Sequence, residues 1–124
     1  MCAILLSINT EYVGRIMCGE KKYEFRKNLC KRKVDKIVIY STSPVMKVVG
    51  EAEVEDILVD EPEKIWSHTK EYSGIDQTFF EEYYEGRKQA VAYKLKHIVE
   101  YEKPKMLEEY GIHVAPQSFC YLEI

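Results

Sequence analysis

The feature that most constrains the fold is a run of alternating side chains over residues 45–59. Its apolar face holds Met46, Val48, Ala52 and Val54, and its acidic face holds Glu51, Glu53 and Glu55. A repeat of two residues is the period of a half-buried β-strand, so the run excludes an all-helical fold. Gly50 interrupts the apolar face and indicates a bulge or a sharp bend. A sheet built on this strand can therefore curl towards a barrel.

Other strands and short helices surround this one. Strands are predicted at residues 3–8, 22–27, 36–40, 88–101 and 118–123, and helices at 62–74 and 76–86, with a helical turn after Pro104. A first short helix begins after Asn9, whose side chain can cap it, and ends at Gly19. One face of the strand at 88–101 is predicted to carry Val91, Tyr93, Leu95, His97, Val99 and Tyr101. The predicted fold class is α+β.

Length and composition limit the function classes. The 124 residues suit one domain, 1–124, and 15 of them are aromatic, so a disordered chain is excluded. No apolar run approaches the roughly 20 residues that span a bilayer, and the apolar N-terminus lacks a basic leader. We expect a soluble cytoplasmic protein without a membrane segment. The four cysteines form no C-x-x-C pair and the three histidines stand singly, so we expect reduced thiols, no metal site and no cofactor.

Charge is unevenly distributed along the chain. Residues 21–36 hold eight Lys or Arg against two acidic residues, whereas residues 51–85 hold twelve acidic residues against two lysines. A basic segment on an acidic body can recruit a polyanion locally while the remainder repels phosphate. The alternative is a solvated lysine-rich loop. The acidic helices offer a possible contact surface for a protein partner.

The octapeptide Gly19-Glu20-Lys21-Lys22-Tyr23-Glu24-Phe25-Arg26 follows the pattern G-x-K-x-x-E-x-R directly after the first short helix. The whole chain resembles the ASCH domains of the PUA-like superfamily. The resemblance rests on this motif, on its place after the first short helix and on the closing strand. The resemblance implies a single ASCH domain with a PUA-like pseudobarrel, that is, a curled mixed sheet of about five to six strands with short peripheral helices. It also implies a cleft, lined by the signature, that binds RNA or a nucleotide-like small ligand.

The signature residues themselves suit such a ligand. Glu24 and Arg26 are two apart on a strand, so both side chains leave the same face about 7 Å apart, and Lys21 enters from the turn. Arg26 can grip two phosphate oxygens, while Glu24 can accept from an exocyclic amine or a ribose hydroxyl. The same residues could instead catalyse hydrolysis of RNA, with Glu24 as general base and Lys21 stabilising negative charge. An ordinary ion pair beside solvated lysines is the structural alternative.

The enzyme interpretation differs from one known chemistry of the family. ASCH-type amidohydrolases that act on acylated cytidine carry a threonine nucleophile at the signature position that Glu24 fills here, so that mechanism is not carried over. What remains is binding, or a different hydrolysis of RNA or an acylated nucleoside. Candidate ligand contacts beyond the trio are Lys22, Lys27, Thr42, Gln117 and Ser118. The aromatic residues Tyr40, Tyr93, Tyr121 and Trp66 are predicted to lie mostly in the core, unless one is exposed beside the cleft.

Overall fold

The computed structural model describes residues 1–123, in which six β-strands form one curled mixed sheet with short helices at its rim. The strands are β1 (Ala3–Ile8), β2 (Tyr23–Arg26), β3 (Lys36–Ser41), β4 (Lys47–Asp60), β5 (Ala90–Lys105) and β6 (Phe119–Leu122). The α-helices are α1 (Thr10–Met17), α2 (Pro62–Thr69) and α3 (Gln77–Tyr83), and 3-10 turns lie at Lys70–Tyr72 and Leu107–Tyr110. The predicted α+β class, curled sheet and peripheral helices are confirmed.

The two edge strands of the curled sheet are linked by one side chain. The order is β2-β5-β4-β3-β1-β6, with β1 and β3 parallel and the other pairs antiparallel. The edges are β2 and β6, and Arg26 at the end of β2 donates to the Ser7 carbonyl at 3.1 Å and to the Ser118 hydroxyl at 3.3 Å. Ser118 directly precedes β6. The sheet is therefore a half-barrel whose open edges are linked by a side chain.

The bulge or bend predicted at Gly50 is observed as an irregularity in the strand pairing. The pairing of β4 with β5 slips between Val48 and Gly50, and a Cβ at Gly50 would clash with the Val99 carbonyl oxygen. Glycine is required there because the β5 backbone approaches so closely.

The core lies on both faces of the sheet. Inside the curl pack buried residues of β1, β3 and β5, among them Ile4, Leu6, Ile37, Val91 and Tyr93. On the outer face, α2 and α3 cover Phe25, Ile65, Phe80, Tyr84 and Ala92. Each such buried apolar side chain stabilises the fold by roughly 1.5–3 kcal/mol. These two layers hold β2 between them and fix the position of the signature.

Parts of the strand prediction were wrong. Met46 precedes β4 with a φ of 52° and is exposed, so it does not share the face of Val48. On β5 the alternation ends after Leu95, because the register with β4 slips between Lys96 and Val99. His97 has a φ of 50° and an exposed side chain that contacts Glu53, so it does not share the buried face of Leu95.

The helix boundaries follow local chemistry. The Asn9 side chain accepts from the Glu11 amide at 2.9 Å, which confirms the predicted cap, and Gly19 after α1 has a φ of 89°. The helices predicted at 62–74 and 76–86 are each shorter than expected. The strand predicted to end at residue 101 continues past Pro104. Pro104 has no amide hydrogen to donate, and it lies where the pairing of β5 with β4 is irregular, so the missing hydrogen bond is tolerated. Within residues 1–123, no helix is both long enough and apolar enough to cross a membrane.

Candidate nucleic-acid site

A cleft of about 170 Å³ opens where α1, α3 and the ends of β1 and β2 converge. Its lining residues are Ser7, Ile8, Asn9, Tyr12, Lys21, Glu24, Phe25, Arg26, Ile75, Phe79 and Tyr83. The three charged members are the signature residues. Ser7 and Tyr83 are more than 70 residues apart in the sequence, so the cleft residues come together only when the chain folds.

The signature trio forms a compact ion cluster. Glu24 Oε2 accepts from Arg26 Nη2 at 2.7 Å, and Glu24 Oε1 lies 3.8 Å from Lys21 Nζ. The Lys21 side chain is 2% exposed, that of Glu24 9% and that of Arg26 16%. The predicted shared face of Glu24 and Arg26 is thus observed. Two cations flank one carboxylate, so the cluster keeps a positive charge that faces the cleft.

The side chain of Lys21 is buried beneath its neighbours. Its Nζ donates to the Ser73 carbonyl at 2.8 Å and lies 4.8 Å from the centre of the Phe25 ring. Gly74, with a φ of 69°, closes over the lysine stem, and a Cβ there would clash with it. Burial lowers the pKa of Lys21 to about 8 from its ordinary 10.5; nearby Glu24 opposes this shift, and Arg26 adds to it. The ammonium is therefore easier to deprotonate than that of a surface lysine.

Arg26 lines the cleft and also makes structural contacts. Its Nη2 donates to Glu24 and to the Ser7 carbonyl, and its Nη1 donates to the Ser118 hydroxyl. The Arg26 carbonyl in turn accepts from the Tyr84 hydroxyl at 2.9 Å. Its Nε is buried and has no hydrogen-bond partner within residues 1–123. A rigid guanidinium is held across the mouth of the cleft, between the sheet edges.

Aromatic rings form one wall of the cleft. Phe79 is 42% exposed, and its ring centre lies 5.7 Å from that of Tyr12 and 6.3 Å from that of Tyr83. The planes of Phe79 and Tyr83 are nearly parallel, at 9°. Burial raises the pKa of the Tyr83 phenol. These flat surfaces are suited to stack a base.

Sequence reasoning missed this wall. Of the rings it considered, Tyr40 and Tyr93 are buried in the core, while Tyr121 and Trp66 lie partly buried away from the cleft. The spacing of Phe79 and Tyr83, one helical turn apart, was the available signal. It did not say which helix face met β2, because that depends on how α3 packs.

Of the other candidate contacts, some lie beside the cleft and others lie away from it. Ser118 touches Arg26, and Lys27 Nζ lies 4.8 Å from the Tyr83 ring centre at the cleft rim. Lys22 is exposed above Tyr72, outside the cleft. Thr42 does not line the cleft, and its carbonyl accepts from the Thr10 hydroxyl at 2.9 Å. Gln117 is exposed and does not line it either.

Elsewhere the structure offers a second groove. It has a volume of about 740 Å³ and lies between α2 and α3, with Trp66, Phe80 and Tyr84 among its walls and Glu61, Glu63 and Glu81 at its rim. A protein partner at these acidic helices stays a prediction. In the described part of the chain, no group of three or more His, Cys, Asp or Glu side chains is arranged to hold a metal ion.

The family model of the ASCH domain matches residues 6–109. The chain belongs to the ASCH domain family. The fold of this ASCH domain agrees with the crystal structure of ASCH from Zymomonas mobilis, with a TM-score of 0.88 and 26% identity over 98% of this chain and 87% of that one. This agreement establishes the PUA-like fold that the signature implied.

Two of the relatives in sequence show how much of a longer protein this chain covers. This ASCH domain is 36% identical over 104 residues to the large ribosomal subunit protein uL22 of Ureaplasma parvum, covering 84% of this chain but 33% of that protein. It is 29% identical over 93 residues to an ASCH domain-containing ribonuclease of Zymomonas mobilis, covering 74% of this chain and 63% of that protein. The chain therefore spans about a third of the first relative and under two thirds of the second.

Proposed function

We propose that this ASCH domain binds single-stranded RNA, with one nucleotide inserted in the cleft. The observation that carries the proposal is that a buried ion cluster and an aromatic wall line the same cleft. Arg26 and Lys21 present positive charge to a phosphate, Glu24 is an acceptor for an amine or a hydroxyl, and Phe79 presents its ring to a base. The relative named a ribonuclease supports RNA as the ligand class.

The size of the cleft favours a polymer over a free nucleotide. About 170 Å³ is less than the roughly 300 Å³ at the lower end of pockets that enclose a whole small molecule. A base or a sugar-phosphate fits, and the rest of the ligand must lie outside. RNA meets this condition because its flanking nucleotides can bind the surrounding surface.

A matched pair of variants tests the proposal. Phe79 and Tyr72 are 42% and 41% exposed, but only Phe79 lines the cleft. We expect Phe79→Ser to weaken binding of an RNA of about eight nucleotides by about 5- to 100-fold, measured by fluorescence anisotropy. Tyr72→Ser should bind like the unsubstituted protein. The proposal is wrong if neither Phe79→Ser nor Lys21→Gln alters RNA binding.

Cleavage of the bound RNA is a second candidate, favoured by the carboxylate of Glu24, which is held between two cations in the cleft. In this reaction Glu24 takes the proton of a ribose 2′-hydroxyl, the 2′-oxygen attacks the adjacent phosphorus, and the bond to the 5′-oxygen breaks as that oxygen gains a proton from water. Lys21, protonated below its pKa of about 8, and Arg26 stabilise the negative charge that develops on the non-bridging phosphoryl oxygens. The products are a 2′,3′-cyclic phosphate and a 5′-hydroxyl.

Labelled RNA and a pH series test the second candidate. We expect cleavage that Glu24→Gln lowers at least about 100-fold and that declines as pH rises through about 8, where Lys21 loses its charge. Equal product from both proteins would identify a contaminating nuclease. A rate that rises through that pH would contradict the assigned roles, because the neutral amine would then be the base.

A further inference from the structure

The segment that joins β2 to β3 is a fixed part of the half-barrel. Residues 27–35 cross the opening between the edge strands β2 and β6, and Cys30 and Val34 point inward, with exposures of 8% and 1%. The Tyr93 hydroxyl donates to Cys30 Sγ at 3.2 Å, and the Arg32 amide donates to the Tyr121 hydroxyl at 3.2 Å. The segment is thus tied to the core and to β6.

Three consecutive cationic side chains lie on the surface of this segment. Lys31, Arg32 and Lys33 lie between the two buried anchors and are all exposed. Within residues 1–123, none of the three forms an ion pair, whereas Lys36 and Lys94 are each paired with a glutamate. Their charge is therefore uncompensated, and it is held in place at the seam between the sheet edges.

Arg32 lies beside β6, the strand that begins near the cleft. Its guanidinium carbon lies 4.4 Å from the ring centre of Tyr121 on β6. Ser118, which contacts Arg26 at the cleft, is three residues earlier along the same chain segment, about 10 Å away at the rise of a strand. A single strand leaving Arg26 along β6 reaches Arg32 within about one or two nucleotides.

We propose that the bound RNA leaves the cleft along β6, and that Arg32, stacked on Tyr121, forms a second nucleotide subsite with Lys31 and Lys33 contacting the flanking phosphates. This proposal rests on the proposed function and adds the path of the strand. A planar guanidinium held on an aromatic ring presents a flat cationic face, which can stack on a base and hydrogen-bond a phosphate. Lysine side chains beside it contact phosphates without reading sequence.

The test compares RNA lengths and charge-matched variants. The seam variant replaces Lys31, Arg32 and Lys33 by glutamine, and the control replaces Lys64, Lys70 and Lys103, three exposed lysines without ion pairs in the described chain, by glutamine. We expect the seam variant to bind an RNA of about eight nucleotides at least about 10-fold more weakly, with a salt slope smaller by about 2. Dinucleotide binding should not change, and the control should change octanucleotide binding by less than about 3-fold.

Other outcomes separate the alternatives. If Phe79→Ser weakens octanucleotide binding while the seam variant does not, the strand path is wrong and the proposed function stands. If the unsubstituted protein binds neither RNA, both fail. Polyphosphate bound as tightly as the octanucleotide would overturn the nucleotide subsite in favour of a general polyanion surface. Arg32→Lys that binds as tightly as arginine would likewise overturn the stacking role.

Discussion

At the scale of single residues, Lys21 is a cationic side chain that is almost completely buried. The folded protein lowers its pKa to about 8, and the ordinary value of 10.5 applies in the unfolded chain. Between these values the unfolded chain binds more protons, so this lysine makes the free energy of unfolding rise with pH. Below about pH 8 both states hold the proton, and the contribution is constant.

We therefore predict a pH-dependent difference between the protein and its Lys21→Met variant. From about pH 8 to about pH 10.5, the unsubstituted protein should gain about 3 kcal/mol of stability relative to the variant. Urea unfolding at several pH values measures this difference, with Lys22→Met, at the exposed neighbouring lysine, as control for the loss of a lysine. Parallel pH curves for the protein and Lys21→Met would contradict the burial of a charged amine.

The geometry of the signature residues was predictable because their spacing is local. Glu24 and Arg26 share a strand face whatever the rest of the chain does, and Lys21 precedes that strand by two residues. The burial of Lys21 was not predictable, because it depends on Ser73 and Gly74, some 50 residues later. The role of Arg26 in joining the sheet edges was hidden for the same reason.

At the scale of elements, the turn after α2 acts as a cover for Lys21. Gly74 and Gly86 both have a positive φ, of 69° and 75°, but only Gly74 meets another side chain where a Cβ would be. An alanine at Gly86 bears the backbone cost alone, about 1–2 kcal/mol. An alanine at Gly74 bears that cost and must also displace the stem of Lys21.

We predict that Gly74→Ala destabilises the protein by about 1–3 kcal/mol more than Gly86→Ala does, from overpacking against Lys21. Denaturant unfolding of the two variants gives the difference directly. Gly74→Ala should also weaken RNA binding, since the lysine is displaced, whereas Gly86→Ala should not. Equal stabilities would show that the cover is loose and that Lys21 can move out of its pocket.

Strand identity was easier to predict than strand extent. The alternation over residues 45–59 and the bend at Gly50 follow from side-chain pattern and from the lack of a Cβ. The register slips in β5 do not, since they arise from pairing with β4 over the bend. For that reason His97 and Val99 are exposed, although they continue the alternating pattern in the sequence.

For the whole molecule, the closure of the half-barrel depends on one guanidinium as well as on the core. The edge strands β2 and β6 share no ladder, and Arg26 reaches from β2 to Ser7 and Ser118 while holding Glu24. Removing Arg26 leaves Glu24 buried beside Lys21 alone, a costly arrangement for a carboxylate. The proposed RNA site and the seam between the sheet edges are thereby stabilised by the same contacts.

We predict that Arg26→Met destabilises the protein by about 3–5 kcal/mol, and that adding Glu24→Gln recovers part of this loss because the uncompensated charge disappears. Hydrogen exchange locates the effect. In Arg26→Met the β6 amides should exchange faster, and they should stay fast in the double variant, since restoring charge balance does not rejoin the edges. If the double variant instead recovered both stability and β6 protection, the ion pair with Glu24 would account for the whole role of Arg26. The reach to Ser7 and Ser118 would then contribute nothing to closure.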